Sequence, residues 1–79
     1  MEKGQIVCSK AGSDKDMFLA VIGVNGKEVY ISDGKRYKIA SPKKKNVKHL
    51  ACTGKILCEE ELLTDKKLRS AIAQYRSSI

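Results

Sequence analysis

The sequence contains no tryptophan, one phenylalanine, three tyrosines and a single histidine. So few aromatic rings argue against a groove for proline-rich peptides and against a stacking platform for single-stranded nucleic acid. The chain also lacks a glycine-rich phosphate loop leading into a helix, and paired carboxylates beside a nucleophile, which argues against an enzyme. We therefore expect a non-enzymatic binding protein.

The cysteines are too few and too widely spaced for a disulfide framework or a typical zinc site. Cys8, Cys52 and Cys58 are an odd number, so we expect reduced thiols, with Cys8 a small buried strand residue. A zinc site that adds His49 would have suitable donors, but no Cys-x-x-Cys spacing supports it. A cysteine nucleophile with His49 as base would lack a third, orienting group. We expect neither a metal ion nor another cofactor.

Long hydrophobic runs are also absent. The longest covers residues 17–24, far short of the ~20 residues of a membrane-spanning helix. We therefore expect no secretory or transmembrane segment, no membrane partner and a cytoplasmic location. A chain of 79 residues predicts one small domain without a deep active-site cleft, since such a domain buries only about 60% of its unfolded surface. We expect it to be a monomer when free.

Basic residues are abundant and unevenly distributed. The 16 Lys and Arg exceed the 9 Asp and Glu, and the formal net charge of +7 favours a polyanionic partner. Residues 1–50 carry 11 basic and 5 acidic side chains, whereas residues 51–79 carry 5 and 4. Residues 35–48 contain seven cations and no carboxylate. A charge run alone often marks only a solvated face, so its meaning depends on the fold.

Alternation of apolar and polar residues predicts a β meander. The predicted strands are residues 5–9, 17–24, 27–32, 35–40 and 47–52. Two-residue turns are predicted at Asn25-Gly26 and Asp33-Gly34. Pro42 interrupts the pattern and introduces a charged loop over residues 43–46.

The C-terminal part has a helical period. Leu68, Ala71, Ile72 and Tyr75 form one apolar stripe, and Thr64 is a good N-cap. This predicts a helix over about 65–77 that docks Leu68 and Ile72 on the sheet. Closure of five short strands would protect their edges. The sequence therefore predicts a mainly β single domain, residues 1–79, with a five-stranded barrel over about 4–58 and a short C-terminal helix.

The first third of the chain combines Gly4, the alternation of Ile6 and Cys8 with Val7 and Ser9, then Lys10, Gly12, Asp14, Lys15 and the hydrophobic residues 21–24. In these residues it resembles the KOW motif of ribosomal and transcription-associated RNA-binding domains. Residues 33–36 and 42–45 are similar to bacterial single-domain KOW proteins related to archaeal and eukaryotic large-subunit ribosomal proteins. This resemblance implies an SH3-like barrel, and ribosomal RNA as the partner in a ribonucleoprotein of translation.

Lysine dominates the cations, which favours contacts to the phosphates of structured RNA over base reading. The residues predicted to bind RNA are Lys10, Gly12, Lys15, Lys35, Arg36, Lys38, Lys43, Lys44, Lys45 and Lys48. They are expected to form one basic track from the loop at residues 10–16, along the strand at 35–40, to residues 43–45. Tyr30 and Tyr37 are expected to pack in the core. The alternative is an SH3-like protein–protein interaction module in transcription or translation.

Overall fold

Five antiparallel strands form one sheet in the computed structural model, which describes residues 1–79. The strands are β1 (Gln5–Ser9), β2 (Phe18–Asn25), β3 (Glu28–Ser32), β4 (Lys43–Asn46) and β5 (Leu50–Ile56). Short 3₁₀ helices at Val47–His49 and Glu59–Leu62 precede β5 and the single α-helix, α1 (Asp65–Ser78). The strand order is β4-β3-β2-β1-β5, and no ladder joins β4 to β5, so the sheet is open. The predicted mainly β class with five strands and a C-terminal helix is confirmed.

Both faces of the sheet are covered by apolar side chains. One face carries a cluster of Val7, Leu19, Val21, Val29, Ile31 and Leu50. On the other face, Ile6 and Ala20 pack against the C-terminal segment through Leu57, Leu62, Leu68, Ala71 and Ile72. The predicted docking of α1 is therefore confirmed. The helix begins as predicted, because the Thr64 side chain accepts a hydrogen bond from the Lys67 N–H at 3.1 Å.

The sheet is strongly coiled, because the short segment at residues 47–49 contacts two distant parts of it. The Val47 N–H donates to the Lys27 carbonyl in the β2–β3 turn at 2.9 Å, while the Lys10 N–H, just after β1, donates to the His49 carbonyl at 2.8 Å. Three residues span at most ~10 Å. The β2–β3 turn and the end of β1 are thus brought close together, and bulges in the β1–β5 and β2–β3 ladders contribute to the bend.

The predicted strand at residues 35–40 is wrong. The Asp33 carboxylate accepts the N–H groups of Lys35 and Tyr37, both at 3.0 Å, and folds this segment into a turn. The Ile39 N–H donates to the Asp65 carboxylate of α1 at 2.8 Å. Carboxylate side chains therefore accept these backbone N–H groups. In a strand, the same groups would donate to a neighbouring strand. Residues 33–42 form the β3–β4 loop.

The predicted loop at residues 43–46 is instead the edge strand β4. It pairs in register with β3, from Ile31 opposite Lys43 to Glu28 opposite Asn46. Three consecutive lysines have no apolar alternation, so periodicity could not identify this strand. Strand β5 begins at Leu50, because the first part of the predicted strand at 47–52 is a 3₁₀ helix.

The first hairpin lies one residue from its predicted position. Asn25 pairs with Glu28, which leaves Gly26 and Lys27 as the turn. Gly26 has φ 63° and Lys27 does not have positive φ. This combination fits a type II′ turn, which needs positive φ only at its first central residue.

No helix of the structure is both long and apolar enough to cross a membrane.

Candidate nucleic-acid interface

The β1–β2 loop, residues 10–17, is organised around a buried carboxylate. Asp14 is fully buried and accepts a hydrogen bond from the Ser9 hydroxyl at 2.8 Å. Lys45 of β4 pairs with the same carboxylate oxygen. Backbone hydrogen bonds from Asp16 to Ser9 and from Met17 to Asp14 close the loop over this carboxylate. The loop is therefore a fixed structure rather than a loose connection.

Lys45 is directed into the protein. Its side chain is only 9% exposed, and its ammonium donates to Asp14, to the Ser9 hydroxyl at 2.8 Å and to the Ala11 carbonyl at 2.8 Å. An ammonium has three N–H donors, and all three have acceptors within the fold. Lys45 thus anchors the β1–β2 loop to β4, and we leave it out of the candidate phosphate contacts.

Lys43 is the second cation near this carboxylate. Its ammonium lies 3.8 Å from Asp14, 3.2 Å from the Tyr37 hydroxyl and 5.1 Å from the centre of the Tyr37 ring. Burial raises the pKa of the Asp14 carboxyl. The hydrogen bonds from Lys45 and Ser9 and the charges of Lys45 and Lys43 outweigh this effect and hold the pKa below its ordinary value of 3.8. Asp14 is therefore ionised at neutral pH.

The lowered pKa of Asp14 predicts a specific acid sensitivity. A carboxyl with a lower pKa in the folded than in the unfolded state stabilises the fold above the unfolded value of 3.8, and that stabilisation is lost as the pH falls through the lowered value. Melting temperatures measured from neutral pH into this range should fall more steeply for the wild type than for Asp14→Asn. The exposed Asp16 of the same loop supplies the control, because Asp16→Asn leaves the buried Asp14–Lys45 pair intact. Parallel curves for the wild type and Asp14→Asn would contradict this assignment.

Two residues, one on each side of Asp14, have a left-handed backbone conformation. Gly12 has φ 84°, as the sequence predicts, and Asp16 has φ 70°. A side chain with Cβ adopts this region only at a cost, although aspartate tolerates it better than most residues. A Cβ at Gly12 would lie 3.6 Å from the Asp14 carboxylate and 3.7 Å from the Lys45 ammonium. These are ordinary contact distances, so backbone strain is the main cost of a substitution there.

We expect Gly12→Val to destabilise the protein by about 1–2 kcal/mol, the cost of forcing a residue with Cβ into left-handed backbone. Gly54→Val is a matched control, since Gly54 has no positive φ and a Cβ there meets no atom within 4 Å. Chemical denaturation of both variants measures the difference. Equal stabilities would show that the conformation of Gly12 has no energetic importance.

Three parts of the chain meet at the β1–β2 loop. Arg36 of the β3–β4 loop donates to the Ser13 carbonyl at 3.4 Å and to the Ser13 hydroxyl at 3.1 Å. The Lys10 N–H bonds to His49, which places the 3₁₀ helix of Lys48 beside the start of the loop. Strand β4 contributes Lys45, whose ammonium donates to the Ala11 carbonyl of the loop. The structure therefore brings Arg36, Lys45 and the segment of Lys48 to this one loop, and they do not lie along a track that joins two ends of a barrel.

The predicted RNA-binding cations fall into two groups. Six are exposed and form no ion pair, and we call them the loop surface: Lys10, Lys15, Lys35, Arg36, Lys38 and Lys48. The other three belong to β4. Lys43 and Lys45 are directed toward Asp14, while Lys44 is exposed and lies 3.8 Å from Glu28. The predicted path along a strand is therefore wrong, because residues 35–40 belong to the β3–β4 loop.

The remaining candidate residues are Tyr37 and the three cysteines. Tyr37 packs against the apolar cluster of the sheet, with its ring below Lys43, as the sequence predicts. No three His, Cys, Asp or Glu side chains are grouped so that they could hold a metal ion. Cys52 and Cys58 are exposed, and Cys8 is half-buried rather than fully buried.

Sequence reasoning missed the role of Asp14 as the anchor of the loop. Its position in the KOW-like segment is recognisable, but its partner Lys45 lies 31 residues away, in a segment whose sequence predicts a loop. The sequence carries no signal for this pairing, because residues 43–45 are all lysine and only the observed strand places Lys43 and Lys45 on one face and Lys44 on the other. Neither a family model nor a curated protein matches the chain.

Proposed function

We propose that the protein binds structured RNA without catalysing a reaction, through phosphate contacts made by the loop surface. The observation that supports this most directly is the burial of Asp14 against Lys45. The pair holds the β1–β2 loop in one conformation and leaves Lys10 and Lys15 exposed without carboxylate partners. A loop that is already ordered loses less conformational entropy on binding.

The chemistry of the loop surface favours folded or duplex RNA over single strands. Five of its six cations are lysines, which act as point charges toward phosphates. The Tyr37 ring, whose centre lies 5.5 Å from the Arg36 guanidinium and 5.1 Å from the Lys43 ammonium, is half-buried beneath these cations and is not available as a stacking platform. Recognition by shape and backbone charge is the mode that proteins use for double-stranded RNA.

The coiled sheet supports a finer assignment of the fold. The close approach of the β2–β3 turn to the end of β1, across the 3₁₀ helix Val47–His49, is what partial closure into an SH3-like barrel requires. Together with the resemblance of residues 4–24 to the KOW motif, this supports ribosomal RNA as the partner and a cytoplasmic role in translation. We propose that the free protein is a monomer. Sedimentation of a cell extract at low and high salt would test the association with ribosomes.

An SH3-like protein–protein interaction module is the competing function, and competition binding separates the two. Fluorescence anisotropy with a labelled RNA hairpin should show saturable binding that persists when an acidic peptide of equal total charge is added. The reason is that an RNA duplex presents phosphates at a fixed spacing, whereas a flexible peptide does not. Displacement of the hairpin by the peptide at equal charge concentration would contradict RNA binding as the function.

A further inference from the structure

An open cleft of about 500 Å³ lies between the β3–β4 loop and α1. The loop contributes Lys35 and Arg36, and the helix contributes Arg69 and Arg76. None of these four cations forms an ion pair. The one carboxylate of the cleft, Asp33, already accepts two backbone hydrogen bonds. The lining of the cleft therefore carries four positive charges and one negative charge, and none of them forms an ion pair.

The helix side of the cleft combines charge with apolar surface. Arg69, Ile72, Ala73 and Arg76 follow the spacing i, i+3, i+4 and i+7, which places them on one face of α1. The two arginines are two helical turns apart, about 10 Å along the axis at ~1.5 Å per residue. Met17 and Phe18 extend the apolar part of the lining toward the sheet.

The two sides of the cleft are fixed relative to each other. The Asp65 carboxylate, in the first turn of α1, accepts the Ile39 N–H of the β3–β4 loop at 2.8 Å. Gly34 approaches the backbone of Asp65 so closely that a Cβ would overlap with it. The cleft therefore exists before any ligand binds.

A ligand that matches this lining has a flat apolar face and carries negative charge at its edges. Inorganic phosphate would leave the apolar lining in water, and an aliphatic chain would leave the four cations unpaired. A nucleotide satisfies both, since its base can lie on apolar side chains or arginine planes while its phosphates contact the cations. The cleft also has the size of a site for a small organic group.

We propose that the cleft receives one unpaired nucleotide of the RNA that occupies the loop surface, an inference that rests on the proposed function. Arg36 connects the two sites, because it lines the cleft while its guanidinium is bonded to Ser13 of the β1–β2 loop. The preferred RNA is then a duplex next to a bulged or terminal unpaired nucleotide. Bases of a continuous duplex are stacked inside the helix and cannot enter the cleft.

The test compares a fully paired RNA hairpin with the same hairpin carrying a single bulged adenosine. The wild type should bind the bulged hairpin about tenfold more tightly, as expected for one additional base contact. In the double variant Arg69→Gln, Arg76→Gln this ratio should fall to about one. The double variant Lys55→Gln, Lys66→Gln removes the same charge from exposed positions outside the cleft and should keep the ratio.

Equal affinity of the wild type for both hairpins, or an unchanged ratio in the arginine variant, would overturn the cleft assignment while leaving RNA binding intact. Saturable binding of adenosine monophosphate that is lost in the arginine variant, together with equal affinity of the wild type for the two hairpins, would overturn it by assigning the cleft to a free nucleotide. Failure of the wild type to bind either hairpin would instead reject the proposed function. Both arginines are exposed, so melting temperatures should confirm that the variants fold.

Discussion

Lys45→Met should destabilise the protein by about 3 kcal/mol, because it leaves the buried Asp14 carboxylate without its main charged partner. In a domain of this size such a loss lowers the melting temperature by roughly 15 °C. Methionine keeps the length and apolar volume of the lysine side chain, so the change removes the charge and its three hydrogen bonds without opening a large cavity. Calorimetry or thermal denaturation followed by circular dichroism measures the effect.

The neighbouring residue provides the control. Lys44 belongs to the same strand, but its side chain is 55% exposed and its contact with Glu28 is a surface ion pair. Such pairs contribute at most about 1 kcal/mol, so Lys44→Met should change the melting temperature by only a few degrees. Asp14→Asn combined with Lys45→Met should recover part of the loss, since neither charge is then left unpaired. Equal melting temperatures for Lys45→Met and Lys44→Met would contradict the buried anchor.

The second large effect is expected on RNA affinity. Replacing both Lys10 and Lys15 with glutamine should weaken binding of a structured RNA about 30-fold, at roughly 1 kcal/mol for each lost contact to a charged phosphate. Both side chains are exposed and neither forms an ion pair, so the fold should be unaffected. Filter binding or anisotropy at fixed salt measures the loss.

The loss of RNA affinity should depend on which lysines are replaced and not only on the net charge of the protein. Lys55→Gln with Lys66→Gln lowers the net charge by the same two units from positions outside the loop surface and should weaken binding only a few-fold through long-range attraction. An equal loss of affinity in both double variants would mean that the RNA is attracted by the total charge of the protein, without a defined site on the loop.

The fold was predictable where local chemistry decides it. Alternation identified β1 to β3, and the apolar stripe with its Thr64 cap identified α1. It was not predictable where distant groups decide it. Residues 35–40 have strand-like alternation, but the carboxylates of Asp33 and Asp65 take their backbone N–H groups. Strand β4 has no hydrophobic pattern and is formed by its antiparallel pairing with β3.

The candidate site was predictable in composition but not in arrangement. The lysines of the β1–β2 loop and Arg36 were identified from charge and from the motif, and the structure does bring them together. The sequence could not show that Lys45 is used inside the protein, because its acceptors come from Asp14, Ser9 and Ala11 on a distant loop. Nor could it show that Arg69 and Arg76 face the β3–β4 loop, since the docking angle of α1 decides this.

The salt dependence of RNA binding tests the central claim most directly. If the six cations of the loop surface contact phosphates, a plot of log K against log salt concentration should have a slope of about −5, because each contact contributes about −0.9. The Lys10→Gln, Lys15→Gln variant should give a slope shallower by about 2, and the Lys55→Gln, Lys66→Gln variant the slope of the wild type. A wild-type slope near zero, or the same slope in both variants, would contradict phosphate binding by the loop surface.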